Sequence, residues 1–519
     1  MDIVTDIKKL SELSVKDLAQ QLRLQAGLAS EVQWQTLLNI LDSTKDSEYG
    51  KKFGFDKIKT PDEFRKKIPV IQYNDIKPFV DRIYDGEANV LFSDPVEAFV
   101  YSSGTTGDAK LFPESRTGNT VKKIISSLRT NEIARMLEGK RSADWKVFAI
   151  TNTANYETNK AGVPTGTASG LALTQVKTDS KRFAVPPIFS MLGNIATPAQ
   201  NYCFAFFALA EKHVEQLVCN NVAHFIKVFD IINEKTETLL NDIEQGSISA
   251  DLADDVQQKI MTVIKPNLER ANELKAIFKK KGRFDISDFW PNFVCVGCWL
   301  SSSVGRIAKE YMSVFPEGTQ FIHWGYGSSE AKFDVPVEVG KQNGIPVLFG
   351  TFYEFRDIIT GDILLIDEIA ENRLYELIIT TYSGLYRYNI HDLVKMCKGD
   401  DGLPLIEFIS KSKDKLILGD KTLYAGQLAD MIEEYEQKTD SRIRLFQGKK
   451  QGNSIALFIE PIHNFDAAQF KAFMENAFAD LGITLDSVTE YKQGYRNSLY
   501  EKVIDGKSVS STKLPVFID

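Results

Sequence analysis

Hydrophobic positions in the first 45 residues repeat with helical spacing. Leu10, Leu13, Leu18 and Leu22 recur three to five positions apart among Lys, Asp and Gln. This spacing is typical of helices that present one apolar face. We therefore expect helices here, with the apolar face packed into a core.

From residue 69 onward the pattern changes to short β-rich runs, such as 97–101 and 147–151, separated by Gly, Ser and Asp clusters. The stretch 211–282 is helical in pattern. Strand-like runs follow at 293–300, 320–324, 346–356, 362–366 and 374–380. This alternation predicts an α/β fold whose large domain has mostly parallel sheets.

Residues 398–404, with the sequence Lys-Gly-Asp-Asp-Gly-Leu-Pro, interrupt this pattern. Such Gly, Asp and Pro clusters mark turns and linkers. The short strands and two helices beyond them are sufficient for a compact α+β domain. We therefore predict a large N-terminal α/β domain at 1–397, a hinge at 398–404 and a small mobile C-terminal domain at 405–519.

Composition and charge narrow the class of protein. The chain has 519 residues, 43% hydrophobic and 25% charged, which is ordinary for a globular protein. Its 62 basic and 70 acidic residues give a net charge of −8, which argues against nucleic-acid or membrane partners. The start has no readable secretory signal, and no apolar run approaches the roughly 20 residues that span a bilayer. We expect a soluble protein.

Five cysteines in so long a chain are an odd and sparse set, which suits a reducing compartment such as the cytoplasm. Cys295 and Cys298 form one CxxC motif, but no second such motif completes a zinc site. Because they lie in the apolar run 293–300, we expect core cysteines in a buried strand.

A loop rich in hydroxyl groups directly follows the predicted strand 97–101. It has the sequence Ser102-Ser103-Gly104-Thr105-Thr106-Gly107-Asp108-Ala109-Lys110. Glycines let the backbone approach an anion, while hydroxyl groups, backbone N–H groups and the lysine bind phosphate oxygens. A flexible Ser/Gly turn is the equally weighted alternative.

A second polar cluster, Tyr326-Gly-Ser-Ser-Glu330, follows the β-like residues 321–324. A tyrosine can stack on a purine, Ser329 can bind a phosphate oxygen and Glu330 can hold Mg²⁺, which prefers oxygen ligands. Taken alone, a simple turn with Glu330 at a helix start is the more economical interpretation.

A third cluster, residues 380–392, ends in Asp392 just before the proposed hinge. A carboxylate there can accept hydrogen bonds from two ribose hydroxyl groups, although a strand with a stacked polar face explains the composition equally well. Beyond the hinge, Lys421 and Lys513 lie in loop-like contexts. Taken singly, each lysine is most simply interpreted as a solvated surface charge.

The order of these clusters, followed by a small domain with loop lysines, resembles the GH3 acyl-acid amido synthetase family. That family is a branch of the adenylate-forming, firefly-luciferase-like superfamily. The resemblance covers roughly 49–111, 290–425 and the extreme C-terminus. Further residues that follow the family pattern are Tyr49-Gly50, Phe53-Gly-Phe55, Phe64, Pro69 to Tyr73, Asp75-Ile76, Gly86-Glu87, Tyr353 to Phe355 and Tyr375 to Thr381.

The resemblance implies a ligase reaction in two steps. ATP and a small carboxylic acid give an acyl-adenylate and pyrophosphate, and an amine, usually that of an amino acid, then gives an amide and AMP. It implies ATP and Mg²⁺ as cofactors. It also implies rotation of the small domain about the hinge, with one closure for each step.

The residue roles implied by the resemblance fall into three groups. Ser102, Ser103, Thr105, Thr106 and Lys110 form the phosphate loop. Tyr326 stacks on adenine, Ser329 contacts the α-phosphate, Glu330 holds Mg²⁺ and Asp392 binds the ribose hydroxyl groups. Lys421 and Lys513 are catalytic lysines of the mobile domain that reach the phosphates.

The sequence departs from the family pattern at particular positions. His391 stands where the family usually has Gly before the ribose Asp, and Lys513 is followed by Leu-Pro-Val516 rather than by a Pro-Arg sequence. The chain is also shorter than plant members, which indicates a bacterial-type member. Residues 115–290 match no motif, so the acid and the amine are not identified.

Two other functions compete with the amido synthetase. An adenylating enzyme could pass the acyl group to a thiol such as coenzyme A. The fold could also serve as a non-catalytic scaffold that binds a partner. Amide formation with a free amino acid separates the first hypothesis from both alternatives.

Overall fold

The computed structural model describes residues 2–102, 110–151, 157–173, 180–192, 195–503 and 514–518. The chain begins with six helices. The first three lie within the first 45 residues, where the helical periodicity predicts them. The six helices are α1 Ile7–Glu12, α2 Val15–Ala26, α3 Ala29–Thr44, α4 Glu48–Phe53, α5 Pro61–Lys67 and α6 Tyr73–Tyr84.

Two strands and a long helix follow, and then a parallel β/α region. The first group is β1 Val96–Tyr101, β2 Leu111–Ser115 and α7 Arg116–Met136. The next is β3 Lys146–Ile150, β4 Glu157–Thr158, β5 Pro164–Thr167, α8 Ala168–Leu173, α9 Thr197–Ala210 and β6 Val214–Cys219. The region ends with α10 Val222–Glu234, α11 Thr236–Gln245, α12 Asp254–Met261, α13 Leu268–Lys281, α14 Ile286–Phe289, β7 Cys295–Cys298, α15 Ser302–Glu310 and β8 Gln320–His323.

A strand-rich region comes next. It consists of β9 Asp334–Pro336, β10 Asn343–Pro346, β11 Thr351–Asp357, β12 Ile363–Leu364, β13 Tyr375–Thr381, β14 Tyr388–Lys398 and β15 Pro404–Lys411. The last elements are β16 Lys415–Leu418, β17 Lys421–Tyr424, α16 Ala425–Thr439, β18 Arg442–Gln451, β19 Ser454–His463, α17 Ala467–Ala479, β20 Thr484–Glu490, α18 Tyr495–Val503 and β21 Phe517–Ile518.

The α/β class is confirmed, and a parallel sheet with the order β3-β6-β7-β8 lies in the N-terminal region. Its strand β7 is buried at all four residues, as expected for a parallel strand covered by helices on both faces. Cys295 and Cys298 lie in this strand as free, buried thiols, which confirms them as core residues. Strand β6 lies inside the stretch 211–282 that reads as helical, because a short apolar run does not distinguish strand from helix.

The largest sheet differs from the expectation of mostly parallel sheets. Its seven strands, in the order β12-β11-β13-β14-β15-β10-β9, are paired antiparallel throughout. Only short turns connect β11 to β12 and β14 to β15. Parallel pairing requires crossovers of a dozen or more residues, so these turns allow only antiparallel neighbours.

Residues 398–404 form the turn between two paired strands. Lys398 pairs with Pro404, and the Gly399 N–H donates to the Leu403 carbonyl at 2.9 Å. A boundary at this turn divides the seven-stranded sheet between β14 and β15. Rotation of the C-terminal domain about a hinge stays a prediction. The strand pairing favours a hinge after Lys411, where β15 ends.

The large predicted domain contains two main hydrophobic cores. One lies between α1–α7 and the antiparallel sheet, and the second surrounds the parallel sheet and α9–α14. A third core, from Leu416 to Phe517, belongs to the C-terminal unit. No helix among the described residues combines the length and the apolar character needed to cross a membrane.

Helix α15 holds the C-terminal unit through charged side chains. Arg306 donates to both carboxylate oxygens of Glu436, at 2.9 and 3.1 Å, and to the Ile443 carbonyl at 2.8 Å. One turn further on, Glu310 pairs with Arg444 and Arg496. These contacts define how the two parts are oriented in this structure.

Candidate active site

The ends of several strands bring most of the predicted site residues together. Ser102 and Lys110 bracket the hydroxyl-rich loop at the end of β1 and the start of β2. The Ser102 N–H donates to the Lys110 carbonyl at 2.8 Å, and the Lys110 N–H donates to Ser102 Oγ at 3.1 Å. Ser103, Thr105 and Thr106 lie outside the described residues, so their phosphate-binding role stays a prediction.

The Lys110 side chain points toward aromatic and acidic groups. Its Nζ lies 5.4 Å from the centre of the Tyr73 ring and 3.5 Å from the Tyr388 hydroxyl. Burial lowers the pKa of Lys110, and the carboxylate of Glu330 opposes this effect. Lys110 is therefore a half-buried cation next to the turn that carries Glu330.

The turn from Tyr326 to Glu330 directly follows β8 and is fixed from several sides. Ser329 Oγ donates to the Tyr101 carbonyl at 2.9 Å, which ties the turn to the end of β1. Lys122 of α7 donates to the Ser329 carbonyl at 2.9 Å. The end of β1, just before the candidate phosphate loop, therefore lies beside the turn that carries the candidate metal residue.

Asp392 is the buried centre of the cluster, with 2% of its surface exposed. Its Oδ2 accepts a hydrogen bond from the Tyr326 hydroxyl at 2.6 Å, and its Oδ1 forms an ion pair with Lys411. Burial and the Asp392 carboxylate raise the pKa of the Tyr326 hydroxyl well above its ordinary value. Tyr326 therefore donates its proton and orients the carboxylate.

Lys411, at the end of β15, is a site residue that the sequence did not single out. Burial opposes its charge, but the carboxylates of Asp392 and Glu330 outweigh that effect and raise its pKa. The run Lys411-Ser-Lys-Asp414 after a strand-like run was the available signal. That composition is common at surfaces, so it carries little information by itself.

Two aromatic rings pack against the Tyr326 ring. The Phe333 ring lies 4.5 Å away, and the Phe408 ring is stacked on Tyr326 at 5.2 Å. The ring is 5% exposed as a result. Adenine stacking on Tyr326 stays a prediction, and it requires Phe408 to move aside.

His391, which precedes Asp392, has a backbone conformation that favours glycine. Its φ is 59°, in the left-handed region. Its N–H donates to Asn389 Oδ1 at 2.8 Å, and its Nδ1 lies 3.1 Å from Glu376 Oε1. These two interactions hold the residue next to Asp392 in that conformation.

Of the two lysines predicted in the C-terminal unit, Lys421 is described by the structure and does not lie at the cluster. Lys421 begins β17, pairs with the neighbouring Asp420 at 3.1 Å and has 45% of its side chain exposed. Lys513 lies outside the described residues. Their catalytic roles stay predictions.

The metal site predicted at Glu330 rests on a single carboxylate. Among the described residues, no group of three or more His, Cys, Asp or Glu side chains is arranged to hold a metal ion. Mg²⁺ in nucleotide sites is commonly held by one or two carboxylates together with phosphate oxygens and water. Glu330, between Ser329 and Lys110, fits that donor set.

The fold brings Lys110, Ser329, Glu330 and Asp392, which the sequence predicts as site residues, together at the ends of its strands. The chain matches the sequence profile of the GH3 family N-terminal domain over residues 18–320 and that of the GH3 family central domain over 345–411. The first match alone covers more than half of the chain. The protein belongs to the GH3 family.

Relatives in this family are acid–amino acid ligases. Indole-3-acetic acid-amido synthetase GH3.6 of Arabidopsis thaliana is 24% identical over 442 residues, which cover 76% of this chain and 69% of the relative. Jasmonoyl-L-amino acid synthetase JAR6 of Nicotiana attenuata is 25% identical over 434 residues, 78% of this chain and 72% of the relative.

A solved structure supports the fold over the whole chain. The acyl acid amido synthetase AtGH3.15 in complex with 2,4-DB superposes with a TM-score of 0.76, covering 100% of this chain and 96% of that chain at 20% identity. The family and the fold expected from the sequence are therefore confirmed.

Proposed function

We propose that this protein is an ATP-dependent acyl-acid amido synthetase. It adenylates a small carboxylic acid, releases pyrophosphate and then transfers the acyl group to the amine of an amino acid. The observation that carries the proposal is the meeting of Lys110, Glu330 and Asp392 in one cluster. These residues come from three distant segments, each of which follows a motif of the family.

Asp392 binds the ribose in this proposal. A buried carboxylate already oriented by the Tyr326 hydroxyl accepts hydrogen bonds from the two ribose hydroxyl groups more strongly than a neutral group would. Lys411 balances the charge of Asp392 before the nucleotide arrives. Tyr326 orients this carboxylate and stacks on adenine once Phe408 has moved.

In this proposal the phosphates of ATP bind beside the cationic residues of the cluster. Lys110 and the loop residues Ser102, Ser103, Thr105 and Thr106 bind the phosphate oxygens, and Ser329 contacts the α-phosphate. Attack of the acid carboxylate on the α-phosphate depends on positioning and charge neutralisation more than on covalent help. Mg²⁺ supplies part of that neutralisation when bound, and Glu330 would hold it.

The C-terminal unit supplies Lys421 and Lys513 when it rotates. In this structure Lys421 lies outside the cluster, so its approach to the phosphates requires a second arrangement of the unit. We place the hinge after Lys411, because β15 remains paired in the sheet and the family's central-domain match ends at the same residue. The large domain of this proposal therefore extends to residue 411 instead of 397.

The proposed setting is a reducing compartment such as the cytoplasm, with small molecules as partners. The five cysteines are free thiols, four of them buried, which suits that environment. The net charge of −8 does not favour nucleic acid as a partner.

A carboxylic-acid panel tests the proposed function. Purified protein with MgATP is screened for pyrophosphate release that depends on the acid, and the active acid is then offered with an amino-acid panel and with coenzyme A. We expect an amide product with a free amino acid. A thioester product would favour the coenzyme A ligase, and nucleotide binding without turnover on any acid would favour the scaffold.

A further inference from the structure

The carboxylate of Glu376, on β13, binds the residues that flank the pair of Asp392 and Lys411. Asp392 of β14 and Lys411 of β15 lie opposite each other in the sheet. His391 precedes Asp392, and Ser412 follows Lys411. Both donate to Oε1 of Glu376, His391 through Nδ1 at 3.1 Å and Ser412 through its hydroxyl group. One carboxylate oxygen therefore connects the two strand segments that carry the candidate ribose residue and its counter-ion.

Three further hydrogen bonds complete this cluster. Oε2 of Glu376 accepts from Asn389 Nδ2 at 2.9 Å and from Arg356 at 3.0 Å. The Ser412 N–H donates to the His391 carbonyl at 2.8 Å. With these donors in place, 13% of the Glu376 side chain is exposed. His391 and Ser412 are thus held both by each other and by Glu376.

Glu376 is ionised in this environment. Burial raises its pKa, but the hydrogen bonds from His391, Ser412 and Asn389 outweigh that effect and lower the pKa to about 2. An ionised carboxylate only accepts hydrogen bonds, so Nδ1 of His391 carries a proton. The contacts to Oε1 are therefore charge-assisted hydrogen bonds, which are roughly twice as strong as those between neutral groups.

The placement of its donors distinguishes Glu376 from a carboxylate that serves stability alone. Any buried polar group is normally satisfied by hydrogen bonds. Here, however, two of the donors are the immediate neighbours of Asp392 and Lys411, and a site residue keeps its geometry through the bonds that fix its surroundings. Ser412 is also the first residue beyond β15, so Glu376 fastens the large-domain side of the proposed hinge.

We infer that Glu376 is a positioning residue for nucleotide binding. It keeps Asp392 and Lys411 in register while the C-terminal unit rotates, so that the Asp392 carboxylate stays oriented toward the ribose hydroxyl groups. Glu376 itself does not touch the nucleotide. This inference rests on the proposed function, since it concerns the orientation of the proposed ribose acceptor.

Discrimination between ATP and 2′-deoxy-ATP tests this inference, because a correctly oriented carboxylate binds the 2′-hydroxyl group that the deoxy analogue lacks. Calorimetry on the full-length protein measures both affinities without an acid substrate. We expect the wild type to bind ATP about tenfold more tightly, and Glu376→Gln to reduce that ratio to about twofold. Ser412→Ala should lower the ratio, and Ser412→Thr, which keeps the hydroxyl group, should retain it. Ser247→Ala removes a similar hydrogen bond, to Asp242 of α11 at 2.9 Å, and should leave the ratio unchanged.

The double variant His391→Gly/Ser412→Ala guards against a folding defect in Glu376→Gln, because it removes only the two donors to Oε1. A lowered ratio with an unchanged melting temperature supports the positioning role. An unchanged ratio in both variants would overturn the inference, while the ligase proposal stands. If the wild type binds both nucleotides equally, the proposed contact between Asp392 and the ribose is wrong and the inference falls with it. If the ratio changes as expected but no acid releases pyrophosphate, the ligase proposal fails and the positioning role stands.

Discussion

Two lysines flank the turn that carries Glu330, and their surroundings are opposite. Lys411 pairs with the buried Asp392, which raises its pKa. Lys332 has no carboxylate partner among the described residues, and burial lowers its pKa to about 7. The Lys411 ammonium group is therefore balanced by a carboxylate, whereas the Lys332 ammonium group is held by hydrogen bonds to Ser126 Oγ and the Lys122 carbonyl.

The largest expected effect lies on the nucleotide side of this comparison. Asp392→Ala removes the proposed acceptor for both ribose hydroxyl groups, so we expect ATP affinity to fall about 100-fold, a loss of about 2.7 kcal/mol. Nucleotide titration by calorimetry measures it. An unchanged affinity for ATP would contradict the proposed contact between Asp392 and the ribose.

A second variant guards against a folding artefact in that experiment. Asp392→Ala also leaves the buried Tyr326 hydroxyl without its acceptor. Asp392→Asn keeps an oxygen there and removes only the charge. Both variants should lose nucleotide affinity, with the smaller loss in Asp392→Asn.

Stability measurements sharpen the contrast between the lysines. Lys411→Met leaves the Asp392 carboxylate without its cation and should lower the free energy of unfolding by about 1–2 kcal/mol. This is less than for a fully buried pair, because the Lys411 side chain is 39% exposed. Lys332→Met removes an unpaired cation and should raise that energy by about 1 kcal/mol. Urea unfolding tests both predictions. A change of the same sign in the two variants would contradict the difference between the two lysines.

The smallest expected effect belongs to the C-terminal unit. Lys421→Ala should slow adenylation about threefold to tenfold through the loss of one phosphate contact, with an unchanged melting temperature because Lys421 and Asp420 are exposed. Lys450→Ala, an exposed lysine of the same unit, is the control. Normal pyrophosphate exchange in Lys421→Ala would count against its role.

The same contrast explains how far the sequence could predict this site. Lys110, Ser329, Glu330 and Asp392 lie in short motifs of fixed order, so their meeting could be expected from a family resemblance. Lys332 follows Glu330 by two residues, but its hydrogen bonds are to Ser126 and Lys122 of α7, which are far away in sequence. No local sequence pattern indicates that a lysine lacks a counter-ion in the folded protein.

The fold shows a similar division. The helices of the first 45 residues and the buried strand β7 follow from periodicity and apolar runs. The antiparallel pairing of β11 with β12 could also have been predicted, because the turn 358–362 is too short for a parallel crossover. The pairing of β14 with β15 could not be predicted from the sequence, because a Gly/Asp/Pro cluster is as typical of a tight hairpin turn as of a linker.

The proposed adenylation is tested most directly by exchange of labelled pyrophosphate into ATP in the presence of a panel of carboxylic acids. We predict exchange with at least one acid in the wild type and slower exchange in Asp392→Asn, because the affinity for ATP falls. Absence of exchange with every carboxylic acid offered, in a folded protein that binds ATP, would contradict the account.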